Sequence, residues 1–115
     1  MVTEDYVSFE IAKLLKNKGF DWDCESKRFY PEPDYDQESP NGVYAPTVQM
    51  AMKWLREVHN ISIEPLVDFG SGDGYWWTAD VGYIKKHGLI DELCGYNSYE
   101  QVCEAAIKYC LENLI

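Results

Sequence analysis

The chain has 115 residues, which is enough for one domain with a single hydrophobic core. Hydrophobic residues form 46% of the chain and aromatic residues 15%, and this composition excludes a disordered polymer. The net charge of −10 disfavours direct contact with nucleic-acid phosphates or anionic membranes, and it is compatible with a basic protein partner or with solubility alone.

The first residues are acidic, and no apolar run approaches the ~20 residues that a membrane span needs. We therefore expect neither a signal peptide nor a membrane anchor, and we expect a cytoplasmic location. Because no C-x-x-C pair occurs, the cysteines are expected to be reduced and mostly packed. They are Cys24, Cys94, Cys103 and Cys110.

The first predicted helix carries an apolar stripe at helical spacing. Its members are Val7, Ile11, Leu14 and Leu15. Either Thr3 or Ser8 can cap the start of this helix, and Gly19 stands where a left-handed residue after the helix belongs.

Residues 21–45 form the least regular region, because three prolines interrupt it and Asn41-Gly42 signals a turn. Residues 27–30 and 42–44 are predicted as short edge strands. The acidic segment 32–38 between them is expected to face solvent.

A second helix is predicted from Ala45-Pro46-Thr47 to the region of His59-Asn60. Proline suits the first helical position, and Thr47 is an alternative cap. Three strands are predicted to follow, at residues 61–67, 75–84 and within 89–96.

The last helix begins with a capping box, in which Ser98 and Gln101 occupy the reciprocal positions. Its apolar residues then recur at helical spacing through Leu114. The whole pattern predicts a single α+β domain over residues 1–115. We expect a small antiparallel meander of about three strands packed against two or three helices, in the order α-(β)-α-β-β-β-α.

Residues 66–74, with the sequence LVDFGSGDG, resemble the first motif of class I S-adenosylmethionine-dependent methyltransferases. In that family an apolar strand enters a glycine-rich turn, and an acidic residue further on holds the ribose hydroxyls. The resemblance matches Asp68, Gly70, Gly72 and Asp91 to that pattern. It implies a bound S-adenosylmethionine.

The residues after Gly74 oppose this interpretation. Apolar or aromatic residues alternate from Tyr75 to Tyr83, which predicts a strand where the motif requires a helix. Only 41 residues follow Gly74, too few for the further βα units of a doubly wound sheet. A hairpin loop between two strands is therefore favoured, and we predict no cofactor.

No other pattern indicates catalysis or metal binding. His59, His87 and the four cysteines show no ligand spacing, so we predict neither a catalytic set nor a metal site. Neighbouring residues on a strand point to opposite faces, so one of Trp76 and Trp77 is expected in the core and the other on the surface. Together with Tyr75 they form our candidate interaction surface.

Three helical segments carry a second resemblance: VSFEIAKLLKNKGF at residues 7–20, APTVQMAMKWLREVH at 45–59, and residues 98–114. Together they resemble a family of small uncharacterised proteins from gut Bacteroides-type bacteria, often carried on phages and mobile elements. This resemblance implies such an origin. It implies no activity and no functional residue.

We therefore predict a small, acidic, non-enzymatic intracellular accessory protein that acts through protein contacts. One alternative is an acidic mimic of nucleic acid that blocks a DNA-binding partner, with the carboxylates of residues 21–45 and 67–115 gathered on one face. The other is the disfavoured S-adenosylmethionine-binding protein.

Overall fold

The computed structural model describes residues 5–23, 27–31, 42–69, 74–85 and 88–115. Within these ranges the chain forms three helices and five strands: α1 (Phe9–Asn17), β1 (Lys27–Pro31), β2 (Gly42–Pro46), α2 (Val48–His59), β3 (Ile61–Asp68), β4 (Trp76–Tyr83), β5 (Gly88–Tyr96) and α3 (Tyr99–Asn113). The α+β class and the order of elements confirm the prediction. Predicted features outside the described residues are Thr3, Cys24, the acidic segment 32–38, residues 70–73 and His87.

Helix α1 begins after Ser8, whose hydroxyl oxygen accepts a hydrogen bond from the Ile11 N–H at 3.4 Å. The N–H of Ser8 donates to Oε1 of Glu104 in α3 at 2.6 Å, which ties the start of α1 to the last helix. Gly19 has a φ of 93°, the left-handed conformation predicted for it.

Strands β1 and β2 pair antiparallel over their full length, which confirms the two short strands predicted here. Phe29 lies opposite Tyr44, and their ring centroids are 5.0 Å apart. The carbonyl of Pro46 accepts a hydrogen bond from the Val7 N–H at 3.0 Å, so the hairpin is held against the segment before α1.

Helix α2 starts at Val48, two residues later than a proline at its first position would require. Pro46 is the last residue of β2, where it pairs with Lys27, and Thr47 is the N-cap. The hydroxyl of Thr47 accepts from the Met50 N–H at 3.2 Å. Extended pairing therefore takes precedence over the helical preference of Pro46. The helix ends at Asn60, which adopts a left-handed φ of 58°.

The remaining strands form an antiparallel sheet in the order β3-β4-β5, as the predicted meander requires. Helix α3 contacts all three strands and α2 contacts β3, so both helices cover the same face of the sheet. The buried residues of that face come from β3 and β4. They are Ile61, Ile63, Ala79 and Val81.

Helix α3 confirms its predicted cap, because the Ser98 hydroxyl accepts from the Gln101 N–H at 3.2 Å. The return bond differs from a capping box. The side-chain oxygen of Gln101 accepts from the Asn97 N–H at 3.2 Å, since the chain bends at residues 97–98 and brings that group to the helix start. The buried face of α3 joins the core of the other elements. It consists of Val102, Cys103, Ala106, Ile107, Cys110 and Leu111.

Candidate functional site

The face of the three-stranded sheet opposite α3 has no helix or strand of the described residues packed on it; we call it the open face. Because side chains alternate along a strand, the residues next to Ile61, Ile63, Ala79 and Val81 along β3 and β4 point to this face. Its side chains are Glu64, Leu66 and Asp68 of β3, Trp76, Thr78 and Asp80 of β4, and Leu89 and Glu92 of β5.

Three carboxylates cross the open face in one row, which we call the acidic row. Glu64 is directly opposite Asp80, and Asp80 is directly opposite Glu92. Asp80 is half-buried between two exposed neighbours. Among the ion pairs of the described residues, none involves these three side chains. Like charges directly opposite on neighbouring strands are unfavourable, so we expect the row to reduce the stability of the sheet.

Large apolar side chains flank the acidic row along the strands. Leu66 is 49% exposed and Trp76 is 39% exposed on one side, where Phe69 stands just past the end of β3 at 71%. Leu89 is 66% exposed on the other side. Exposed apolar residues that border charges are typical of surfaces that bind other proteins.

The open face is concave in two places. A depression of about 510 Å³ lies among Leu66, Asp68, Phe69, Asp80 and Glu92, and Thr78 forms part of its lining. Thr78 is buried although it is on the open face, because larger side chains surround it. A second depression of about 380 Å³ is lined by residues that include Glu64, Asp80 and Leu89. Asp80 contributes to both depressions and is therefore the centre of the surface.

The structure separates the three residues of our candidate interaction surface. Trp76 is on the open face opposite Asp68, and Tyr75 precedes it at 62% exposure. Trp77 is half-buried on the helix side, where its ring packs edge-on against Tyr99 with centroids 5.6 Å apart. The alternation predicted for the two tryptophans is thus observed, and Trp77 is the one turned to the core.

The methyltransferase-like motif is not followed by a helix. Residues 76–83 form β4, a strand, where the motif requires a helix. The glycine-rich centre of the motif, residues 70–73, is outside the described residues. Asp68 pairs with Trp76, and Asp91 pairs with the core residue Val81. The two carboxylates matched to the family pattern therefore lie on opposite faces of the sheet and cannot converge on one ligand.

The cysteines within the described ranges are free thiols, and two of them are enclosed in the core. Burial raises the pKa of Cys103 to about 11 and that of Cys110 to about 12. Both are therefore protonated at neutral pH and are unsuited to act as nucleophiles or metal ligands. No group of three metal-ligating side chains occurs among the described residues.

His59 is the last residue of α2, and its ring packs against Trp54 with centroids 4.7 Å apart. Its Nε2 is enclosed and has no hydrogen-bond partner within the described part of the chain. Desolvation by burial lowers the pKa of His59 from 6.5. Its neutral form is therefore favoured in the fold, and its surroundings are those of a packed side chain.

Two other concave regions lie away from the open face. A cavity of about 340 Å³ beside the end of α1 is lined in part by Phe20, Trp22 and Tyr44. The groove between α1 and α3 contains the Ser8–Glu104 bond and the ion pair of Lys108 with Glu10 at 3.0 Å. The polar groups of this groove bind each other, so they hold the two helices together.

No sequence pattern gave a functional role to Glu64, Asp80 or Glu92, and Leu66 was named only as part of the glycine-rich motif. The polar residues at alternate positions of β3 were a signal that one face of this strand is open. The alignment of the carboxylates depends on the register of three strands, and β5 is shifted at two places relative to β4. Such shifts cannot be obtained from alternation alone.

No family model, curated protein or solved structure matches the chain. The resemblance of its three helices to proteins of gut Bacteroides-type bacteria therefore stays a prediction. No helix among the described residues combines the length and the apolar character needed to cross a membrane.

Proposed function

We propose that this chain is a non-enzymatic accessory protein that binds a basic protein partner through its open face. The observation that carries the proposal is the acidic row of Glu64, Asp80 and Glu92, set between exposed apolar side chains. A partner that brings cations to this row removes the like-charge repulsion and covers the apolar residues at the same time.

The partner is expected to be a protein, because the same face repels phosphate groups and anionic lipid surfaces. The free thiols at Cys94, Cys103 and Cys110 support a reducing compartment, and we propose the cytoplasm. An origin on a phage or mobile element is proposed on the resemblance of the helices alone.

The proposed function predicts that reversing the central charge abolishes partner capture. The native chain and the variants Asp80→Lys and Asp21→Lys are each immobilised and exposed to lysate of the source organism. Asp21 is exposed near the end of α1 and lines a different cavity, so its variant has the same change in net charge away from the open face. We expect a basic protein that the native chain and Asp21→Lys retain and that Asp80→Lys loses. If the two variants retain the same proteins, the open face is not the binding surface.

Nucleic-acid mimicry is the second candidate, and the acidic row is the feature that favours it. Its prediction was one face that gathers the carboxylates of residues 21–45 and 67–115. Asp21 and Asp23 instead line the cavity beside α1, while Asp80 and Glu92 line the open face. Competition provides the test: a mimic must be displaced from its partner by duplex DNA, whereas a partner that binds no DNA rules the mimic out.

A further inference from the structure

We infer, on the premise of the proposed function, that the occupant of the open face is an amphipathic helix of a separate protein, with one central arginine or lysine among apolar residues. The inference rests on three properties of the face: the state of its backbone groups, its width, and the spacing of its charges and apolar side chains.

The backbone of the sheet has little to offer to a partner that lies across its face. The backbone N–H and C=O groups of neighbouring strands bond to each other in the plane of the sheet. Strand β4 pairs with β3 from Ile61↔Tyr83 to Asp68↔Trp76, and it pairs with β5 along its other edge. An extended peptide on the open face would bury its own N–H and C=O groups without partners, which is costly. A helix satisfies its backbone internally and buries only side chains.

The width of the open face matches one helix. Neighbouring strands are about 4.8 Å apart, so the outer strands β3 and β5 are separated by about 10 Å, close to the diameter of a helix with its side chains. On the other face of this sheet one helix, α3, reaches β3, β4 and β5, while α2 lies beside it and contacts β3. A helix on the open face would complete a three-layer arrangement.

The spacing along the strands specifies a sequence pattern for a helix that runs parallel to them. Leu66 is opposite Thr78, and Thr78 precedes Asp80 by two residues along β4. Trp76 precedes Asp80 by four residues on the same strand. These separations are about 6.6 Å and 13 Å, or about four and eight to nine residues of helix. In the other direction Leu89 is opposite Gly82, which lies about 6.6 Å from Asp80 along β4.

A cation at helix position i therefore meets Asp80, while apolar residues at i−8, i−4 and i+4 meet the apolar side chains around it. These positions lie on one side of a helix, so an ordinary amphipathic segment satisfies the pattern. Arginine suits the central position best, because its planar group can bind the carboxylates of Asp80 and a neighbour together. A second copy of this chain is disfavoured as the occupant, because it brings another net charge of −10.

Selection from two displayed peptide libraries tests the inference. One library presents helices of about 18 residues with one randomised side, and the other presents peptides of equal length interrupted by prolines. Both are selected on the full chain with counter-selection on Asp80→Lys. We expect the helix library to yield binders with a central arginine or lysine and apolar residues four positions away. Their affinity should fall about tenfold or more on Asp80→Lys and on Leu66→Glu and stay unchanged on Asp21→Lys.

The other outcomes separate the inference from the proposed function. If only the proline-interrupted library yields binders sensitive to Asp80→Lys, the helix is refuted and the basic partner is retained. If neither library yields a binder sensitive to Asp80→Lys or Leu66→Glu, both are refuted. Helical binders that lack a cation also overturn the inference. Circular dichroism of each variant checks that it is folded. If Asp80→Lys does not fold, Leu66→Glu tests the open face in its place.

Discussion

Removing the central charge of the acidic row should make the protein more stable, contrary to the effect of most substitutions. Asp80 faces Glu64 on one side and Glu92 on the other. Opposite-charge pairs directly across a sheet contribute about 0.2–1 kcal/mol, and we take the repulsion of a like-charge pair to be of the same order. Asp80→Asn keeps the shape of the side chain and relieves both pairs, so we expect a gain of about 1 kcal/mol in the free energy of unfolding.

The size of this effect can be measured by thermal unfolding. For a domain of about this length, 1 kcal/mol corresponds to a rise of about 4 °C in Tm. The gain should shrink at 1 M salt, where the screening length is about 3 Å and the pairs are about 5 Å apart. Once Asp80 is neutral, Glu64→Gln should add little, because the pair that it would relieve no longer exists. Asp21→Asn is the charge-matched control.

A different result would refute the account of the acidic row. If Asp80→Asn lowers Tm, or raises it no more than Asp21→Asn does, the carboxylates do not repel each other across the sheet. A gain that persists unchanged at 1 M salt would show that the effect is not electrostatic.

Three further predictions concern other parts of the fold. Burial lowers the pKa of His59, so as the pH falls His59 is protonated in the unfolded chain, near pH 6.5, before it is protonated in the folded chain. The free energy of unfolding, measured with denaturant, should therefore decrease as the pH drops below this value. The decrease should be less steep in His59→Gln. Iodoacetamide at pH 8 should label Cys94 in the native protein and spare Cys103 and Cys110, whose thiols are buried and protonated; mass spectrometry that finds all three labelled at equal rates would contradict this. Gly82→Ala should lower the free energy of unfolding by about 1–3 kcal/mol, because its new Cβ would stand 2.6 Å from a backbone oxygen of β5. Thermal unfolding measures this, and an unchanged Tm would mean that β4 and β5 can move apart at this position without cost.

Local signals predicted the helices and their ends, because caps and stripes depend on residues within a few positions of each other. Ser98 is the N-cap that the sequence indicated, and Ser8 is one of the two caps that it offered for α1. Gly19 adopts the left-handed conformation that a helix end favours. Of the two starts predicted for α2, the cap at Thr47 is confirmed and the helical position of Pro46 is wrong. Pro46 pairs with Lys27, which is distant in the sequence, and a local preference contains no information about such a pairing.

The candidate site depends on distant pairings even more strongly. Glu64 and Glu92 are far apart in the sequence, and each is informative only through its register with Asp80. A shift of one residue in either strand would turn its carboxylate to the helix side. The directions of Trp76 and Trp77 could be predicted from the sequence, because adjacent residues on any strand point to opposite faces.

The acidic row has a second interpretation, in which its charges only prevent an exposed sheet face from aggregating. Acidic side chains on an uncovered sheet discourage contact between copies, and lysine serves this purpose equally well. The two interpretations differ in what Asp80→Lys does. If the row only protects the sheet, Asp80→Lys keeps the oligomeric state and every partner of the native chain.

If the row binds a basic partner, the same variant keeps its oligomeric state and loses that partner, while Asp80→Asn weakens binding by a smaller factor. Lysine also pairs with Glu64 and Glu92 and relieves their repulsion, so Asp80→Lys should be at least as stable as the native chain. Greater stability combined with lost binding is the signature of a charge arrangement maintained for recognition at a cost to the fold. Greater stability with binding retained would assign the acidic row to solubility alone.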